Sequence, residues 1–371
     1  MILRALNVTN YRNIMSASLT LSPKLNYLTG RNGAGKTNIL DAVWLLSFCK
    51  SAQSATDTQL ITHGKEYFAV DGRYVREDGE EFRVRCSLKQ GGKKRMRIGE
   101  KDYRRLSDHI GLIPVVYVSP SDIFLIEGGS EGRRRLMDTT IAQYDRPYLA
   151  AIGRYNKALQ QRNALLRTAS EGGQWSTDTL DILEEMMATE GETIYARRKS
   201  FVTDITPLFK ECYAGITNGK ESAGLDYVSH CSRGSLIDVI RHDRQKDIAV
   251  GYSLHGVHRD DLIFTLFGHS IRQEGSQGQS KTYVAALKLA QYALLRRASG
   301  TAPLLLLDDI FDKLDAERVK EIINIVSGDG FGQIIITDTG RSRIDGMLAS
   351  SGGDYKTFAV DAGTVREEEH V

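Results

Sequence analysis

Three stretches of this 371-residue chain point to an α/β fold, a mixed sheet with flanking helices and a β-rich edge, into which a helical lobe is inserted. The first is Gly30-Arg31-Asn32-Gly33-Ala34-Gly35-Lys36-Thr37, a glycine-rich loop between an apolar run at 25–28 and a run with apolar residues at helical spacing from Ile39. The second is Leu304-Leu305-Leu306-Leu307-Asp308-Asp309, the pattern of a buried parallel strand that delivers acids at its C-terminal end. The third is the long helical periodicity from Arg133 that separates the other two.

Along the chain, residues 2–8, 19–20 and 25–28 read as strands, and 67–76 with 81–88 as a hairpin turned at Asp78-Gly79. Residues 113–118 form a continuous apolar run suited to a buried strand. Helices are expected over 133–143, 148–168 and 179–209, interrupted by Ser170-Glu171-Gly172-Gly173-Gln174-Trp175 and stopped near Pro207, which lacks the N–H a helix needs. After Gly251 the signals alternate: strand 262–267, helix 280–297, strand 304–307, helix 316–326, strand 333–337. The layout divides the chain into residues 1–124, one half of a head with the glycine-rich loop; 125–245, the helical lobe; and 246–371, the other half of the head. No internal repeat or low-complexity segment interrupts it.

Composition sets the outer bounds. A chain of 371 residues exceeds one ordinary core, and 26% charged with 41% hydrophobic residues is ordinary for a globular protein. No apolar run reaches the length of a bilayer span, and Met1 leads into a strand-like pattern with Arg4 and Arg12 in place of a signal peptide, so a cytoplasmic protein with no membrane partner is expected. Cys49, Cys86, Cys212 and Cys231 are scattered without a C-x-x-C pair, which argues against a zinc site and a disulfide framework. The net charge of +2 is too mild to identify a partner, so its distribution matters more. Between residues 89 and 105, Lys93, Lys94, Arg95, Arg97, Arg104 and Arg105 make a basic patch that a phosphate backbone would find attractive, with Arg133-Arg134-Arg135 and Arg197-Arg198-Lys199 as further clusters. The competing reading is a solvated hairpin and two ordinary helix faces.

The glycine-rich loop fits the P-loop pattern G-x-x-x-x-G-K-[ST] and sits between a strand and a helix, where that motif must sit. Gly30, Gly33 and Gly35 let the loop curl, so that N–H groups across Arg31, Asn32, Ala34 and onward to Asn38 face a polyanion at a helix N-terminus. Lys36 is expected on the β- and γ-phosphates of ATP, and Thr37 on Mg²⁺. Asp308 completes the Mg²⁺ site, and Asp309 is placed to orient or deprotonate the attacking water.

A third motif narrows the class. Gly275-Ser276-Gln277-Gly278-Gln279 before a helix resembles the signature of ABC-type ATPases, in which Ser276, Gly278 and Gln279 would bind a γ-phosphate held by a second copy. Asp312-Lys313-Leu314-Asp315 resembles the D-loop, and the order of motifs matches the ABC-type heads of the SMC-like group. Further blocks are Leu6-Asn7-Val8-Thr9-Asn10-Tyr11-Arg12-Asn13, Ser119-Pro120-Ser121-Asp122, Arg133-Arg134-Arg135-Leu136-Met137-Asp138 and His258-Arg259-Asp260-Asp261-Leu262. With these the chain is similar, nearly end to end, to the RecF family of bacterial recombination-mediator ATPases.

The resemblance implies an ATP-dependent homodimer that binds single-stranded, gapped or junction DNA and helps mediators of the RecR/RecO type to load recombinase. Repair, recombination, replication restart and the SOS response would be its setting, with slow, DNA-stimulated ATP hydrolysis as the release step. Arg12 resembles the arginine that touches phosphate in SMC-like heads; a surface arginine on an early loop is the bland alternative. His258 and Arg259 lie near the site or are structural. The sequence departs from the wider ABC pattern in four places. Asp309 stands where many relatives have glutamate, Asp312 where the family usually has serine, no glutamine follows Ser119-Pro120, and Thr337-Asp338-Thr339 replaces a switch histidine. These favour slow, switch-like turnover. A GTPase lacks support because Asn156-Lys157-Ala158-Leu159 has no guanine-reading aspartate, and no heptads or hinge mark a long-armed protein. The remaining alternative is a non-hydrolysing, ATP-gated DNA clamp or scaffold.

Overall fold

The computed structural model describes residues 1–53, 56–311, 315–328, 330–338 and 354–368. They group into two units: 1–122, 212–219 and 277–371 in the first, 123–211 and 220–276 in the second. The chain opens with strands β1 (Ile2–Tyr11), β2 (Ile14–Thr20) and β3 (Leu25–Thr29), helix α1 (Lys36–Phe48), and strands β4 (Tyr67–Val75), β5 (Glu81–Lys89), β6 (Arg95–Ile98), β7 (Lys101–Asp102) and β8 (Val115–Val118). The second unit follows, with α2 (Phe124–Glu127), α3 (Ser130–Ile141), α4 (Arg146–Ser170), most of α5 (Thr177–Thr217), β9 (Ala223–Val228), α6 (Leu236–His242), α7 (Arg244–Val250), β10 (Asp261–Leu266), β11 (His269–Ser270) and α8 (Ile271–Glu274). The first unit is completed by α9 (Gln277–Ser299), β12 (Leu304–Asp308), α10 (Ala316–Ser327), β13 (Ile334–Asp338), β14 (Tyr355–Asp361) and β15 (Thr364–Glu368).

In the first unit, one sheet runs β15-β14-β3-β13-β12-β8, parallel except for the final β14–β15 hairpin. Every residue of β8, β12 and β13 is buried, as continuous apolar runs require. A second sheet, β2-β1-β4-β5-β6-β7, is antiparallel throughout. Helix α1 is buried on nearly all sides because it lies in the core shared by both, with Leu40, Val43 and Leu46 among Leu6, Val70, Val84, Leu304 and Leu306. Among the described residues no helix is long and apolar enough to cross a membrane.

The second unit differs from expectation in two respects. It is not purely helical: β9 and β10 pair antiparallel, Leu225 opposite Phe264, in a sheet ordered β11-β10-β9. That pairing carries the unit on to Ser276, so the boundary expected at 245 falls instead at 276, and residues 246–276 do not belong to the head half. Helix α5 also runs through Pro207 to Thr217 rather than stopping there. An interior proline costs about 3 kcal/mol. Burial of Phe201, Ile205 and Phe209, each at most 1% exposed, returns about 1.5–3 kcal/mol per side chain, so packing wins. Strands β9 and β14–β15 carried no recognised signal. The last hairpin turns through Ala362 (φ 45) and Gly363 (φ 79), a pair of positive φ values suited to a tight two-residue turn.

Candidate nucleotide site

The glycine-rich loop is shaped by what lies against it. Gly30 has φ 145, and a Cβ there would come within 2.2 Å of the Val360 carbonyl on β14. Gly35 has φ 120, and its Cβ would meet Ile14 Cδ1 at 2.7 Å. Neither position admits another residue. The Gly363 N–H donates to the Ala34 carbonyl at 2.9 Å from one side; from the other, Asn13 Nδ2 donates to the Gly33 carbonyl at 3.1 Å. Asn38 Nδ2 donates to Asn13 Oδ1 at 2.7 Å, closing the β1–β2 turn onto α1. Asn13 thus shapes the loop, a role that nothing in the sequence around it marks.

Arg31, Asn32 and Gly33 are exposed on the crest of the loop, while Ala34, Gly35 and Lys36 are buried beneath it. Lys36 Nζ donates to the carbonyls of Gly30 at 2.7 Å and Arg31 at 3.3 Å, which holds its charge across the mouth of the loop. The first N–H groups of α1 have no partner inside the helix and carry the positive end of its dipole. Loop, ammonium and helix terminus together form a phosphate cradle.

Asp308 is where separate strands meet. Because β8, β12 and β13 are parallel and in register, their C-terminal ends line up. Asp308 Oδ1 accepts hydrogen bonds from Thr37 Oγ1 at 3.0 Å and Thr337 Oγ1 at 2.8 Å, and Oδ2 accepts from Tyr117 OH at 3.0 Å. Burial, and then the Asp308 carboxylate, push the Tyr117 hydroxyl well above its ordinary range, so it stays a donor. Thr337 also accepts from the Asp309 N–H at 3.1 Å and so ties the two acids together. Asp309 has φ 45, a left-handed conformation uncommon outside glycine and often found at functional sites. A threonine hydroxyl and a carboxylate in contact, both hard oxygen donors, fit a hard divalent cation such as Mg²⁺. Tyr117 and Thr337 were missed as site residues: an apolar strand run hid the first, and the second was read only as standing in for a histidine. Gln53 Nε2 approaches Tyr117 OH at 3.4 Å, so a glutamine does reach this cluster, from beyond α1 rather than after Ser119.

The remaining expected residues are placed as follows. Arg12 (φ 53) pairs through Nε with Asp41 Oδ2 at 3.1 Å and donates from Nη2 to Ser51 Oγ at 3.0 Å, one residue from the Asn13 that contacts the loop. Gly278 and Gln279 stand in the first turn of α9, with the exposed Ser276 just before it. Thr282 Oγ1 donates to the Gly278 carbonyl at 2.8 Å and accepts from Arg318 Nη1 at 2.8 Å. Arg318 lies on α10, whose N-cap is Asp315, so the last residue of the expected D-loop is linked to the signature helix. Asp312, Lys313, Leu314 and Thr339 lie outside the described residues. Lys288 ties α9 to the end of β8, donating to the Tyr117 carbonyl at 2.9 Å and pairing with Asp122 at 2.8 Å.

The basic clusters are less available than their sequence suggests. Lys94 is 9% exposed at its side chain and pairs with Asp57 at 2.6 Å, so it is not a free surface charge. Arg97 pairs with Asp102 at 2.8 Å, while Lys93, Arg95, Arg104 and Arg105 are exposed. Arg133 makes two bonds to Asp261, Arg134 bonds the Asp260 carbonyl, and the buried Arg198 holds Asp138 and Asp260. Those clusters hold the second unit together. His258 is structural as well: Nδ1 meets Tyr155 OH at 2.8 Å, Nε2 meets the Ser253 carbonyl at 3.1 Å, and burial lowers its pKa to about 4.

A glycine-rich loop between a strand of the parallel sheet and α1, an acid at the end of the neighbouring β12, and an antiparallel sheet packed on the same helix define the ABC-type ATPase head of an SMC-like protein. Residues 2–352 match the model of the RecF/RecN/SMC N terminal domain. Within that group the chain belongs to the RecF family. It is 50% identical over 372 residues to the DNA replication and repair protein RecF of Phocaeicola vulgatus, with 100% of both chains covered. It is 48% identical over 369 residues to that of Bacteroides fragilis, covering 100% of this chain and 99% of the relative. A solved structure of the recombination mediator protein RecF-ATP in the RecFOR pathway aligns over 99% of this chain and 98% of its own, with TM-score 0.88 and 28% identity. The Smc head domain of Pyrococcus furiosus, at 17% identity and TM-score 0.58 over 99% of this chain and 96% of its own, shares the fold.

Proposed function

We propose that the chain is an ATP-dependent DNA-binding protein of recombinational repair and replication restart, working as a homodimer that ATP assembles. ATP lies on residues 30–38, with Lys36 exchanging the Gly30 and Arg31 carbonyls for phosphate oxygens. Mg²⁺ held by Thr37 and Asp308 would neutralise phosphate charge there. The observation that carries this reading is the contact of Thr37 with Asp308, made by residues 271 positions apart in sequence. A second copy supplies Ser276, Gly278 and Gln279, and Arg12 leaves Asp41 to meet phosphate. The closed dimer holds single-stranded, gapped or junction DNA, where RecR/RecO-type mediators load recombinase. Exposed Lys93, Arg95, Arg104 and Arg105, with Arg97, serve the DNA contact; Lys94 is a structural cation.

Asp309 accepts a proton from the attacking water, and slow hydrolysis opens the dimer. The place of Asp309, one residue after Asp308 and with its N–H held by Thr337 Oγ1 at 3.1 Å, supports this over a non-hydrolysing clamp. The test is the lifetime of the ATP-bound dimer on gapped DNA. Asp309→Asn should lengthen it severalfold; equal lifetimes for variant and wild type would show that hydrolysis is not the release step.

A further inference from the structure

Four carbonyl groups of the glycine-rich loop are each held by a donor. Lys36 Nζ takes those of Gly30 and Arg31 from within the loop, and Asn13 Nδ2 takes that of Gly33 at 3.1 Å from the β1–β2 turn. The fourth, that of Ala34, is held at 2.9 Å by the Gly363 N–H in the β14–β15 turn. A planar trans peptide points its C=O and the following N–H in opposite directions. No described peptide bond is cis, so fixing the Ala34 carbonyl turns the Gly35 N–H away from the β14–β15 turn. That N–H, with those of Lys36 and Thr37 at the start of α1, donates to no backbone carbonyl among the described residues. It is the first of a row of donors on which an anion can sit.

The turn does not need this bond for itself. Its ladder closes with Asp361 opposite Thr364, which leaves the Gly363 N–H unused by the hairpin. Gly363 is buried while Asp361, Ala362 and Thr364 around it are exposed, so a single residue of the turn is pressed inward. It has φ 79, and a Cβ there would lie 2.1 Å from the Asn13 carbonyl oxygen. Only glycine brings its N–H this close. A second contact fixes the same hairpin at the loop's first residue. The Val360 carbonyl oxygen lies 2.2 Å from where a Gly30 Cβ would stand, because β14 pairs in parallel with β3 as far as Ala359 opposite Thr29. The hairpin therefore grips the loop at Gly30 and Ala34, on either side of its exposed crest.

We infer that Gly363 is a positioning residue for phosphate, an inference that rests on the ATP reading above. By holding the Ala34 carbonyl it keeps the Gly35 N–H aimed at a phosphate of a nucleoside di- or triphosphate. An exposed glycine-rich crest otherwise loses backbone freedom when it closes on a ligand, and a loop held beforehand is spared that loss. The effect is reciprocal. Whatever the turn adds to phosphate binding, bound phosphate adds to the docking of the turn. Phosphate, rather than the nucleoside, is the group that feels the turn, because what the turn orients is the Ala34–Gly35 peptide at the start of α1.

Hydrogen exchange on the wild-type chain tests the link without a substitution. Peptides spanning 359–366 are followed by mass spectrometry with Mg²⁺ and ATP, pyrophosphate or adenosine. ATP and pyrophosphate should slow exchange in the turn about threefold or more, and adenosine should not. In parallel, ATP affinity is measured for Gly363→Ala, in which the clash with Asn13 pushes the turn off the loop, and for Ala362→Asn, which keeps the bond and suits a two-residue turn. Gly363→Ala should weaken ATP binding about tenfold or more, the worth of one hydrogen bond to a charged oxygen, and Ala362→Asn should stay within about twofold of wild type. The exchange result decides the matter even where Gly363→Ala fails to fold. If ATP binds while exchange in the turn is unchanged, or if Gly363→Ala binds ATP like wild type, the positioning role is overturned and the ATP reading stands. An equal loss in Ala362→Asn overturns it too, since hairpin stability would then be the cause. Equal slowing by adenosine overturns the assignment to phosphate. A wild-type chain that binds neither ATP nor pyrophosphate overturns the ATP reading itself.

Discussion

Replacing Thr337 with valine isolates the hydroxyl that joins the two acids. The substitution keeps the branched shape but removes the bond to Asp308 at 2.8 Å and the one from the Asp309 N–H at 3.1 Å. Asp308 keeps Thr37 and Tyr117, and the Asp309 N–H keeps the Thr337 carbonyl at 3.2 Å, so the carboxylates lose orientation rather than their surroundings. A hydrogen bond to a charged group contributes about 1.5–3 kcal/mol. If that orientation is needed in the transition state, the loss corresponds to roughly 10-fold to 150-fold in rate. Single-turnover hydrolysis of ATP is the assay, with nucleotide affinity measured alongside. Thr337→Val should hydrolyse within that range of slowing at near-normal ATP affinity, and Thr337→Ser, which restores the hydroxyl, should recover most of the rate. A rate for Thr337→Val within about threefold of wild type would refute the reasoning, since about 0.7 kcal/mol is less than the bond is asked to contribute.

Two other outcomes follow from the site and from the second unit. Ser276→Arg should leave ATP affinity unchanged and abolish ATP-induced dimerisation in sedimentation, because the residue acts on nucleotide held by another copy; dimers of normal stability would sink that assignment. His258, neutral in the fold with a pKa of about 4, binds its proton more readily once unfolded, near 6.5. The unfolded chain therefore carries more protons between those values, and stability falls as pH drops through that window, by on the order of 2–3 kcal/mol for this group. His258→Gln should flatten that dependence in denaturant unfolding followed from pH 7 to about pH 4, and an unchanged slope would count against the buried neutral imidazole.

The head was legible because its chemistry is local. Gly30 to Thr37 and Leu304 to Asp309 each state an element and its terminus within a few residues, and the fold places both as read. What escaped is what depends on distant partners. Tyr117 and Thr337 become site residues only when the strands that carry them are set side by side, and Asn13 only when the turn between β1 and β2 meets the glycine-rich loop; nothing within a few residues of each marks those contacts. The charge clusters misled for the same reason. Arg133 and Arg198 look like surface cations until Asp261, Asp138 and Asp260 are brought to them across the second unit. Lys94 looks equivalent to Lys93, yet it alone of the two meets Asp57. Pro207 shows the limit of local rules: its cost is real, but the buried face of α5 outweighs it.

The central claim, that ATP on one copy is closed over by the signature residues of another, is tested most directly by mass in solution. Light scattering would be recorded with ATP, with ADP and without nucleotide, each with and without gapped DNA, for wild type and for Lys36→Met. Conversion from monomer to dimer with ATP alone, strengthened by gapped DNA and absent in Lys36→Met, is the predicted result. The same mass in all nucleotide states, or an ATP-induced dimer of Lys36→Met, would contradict it.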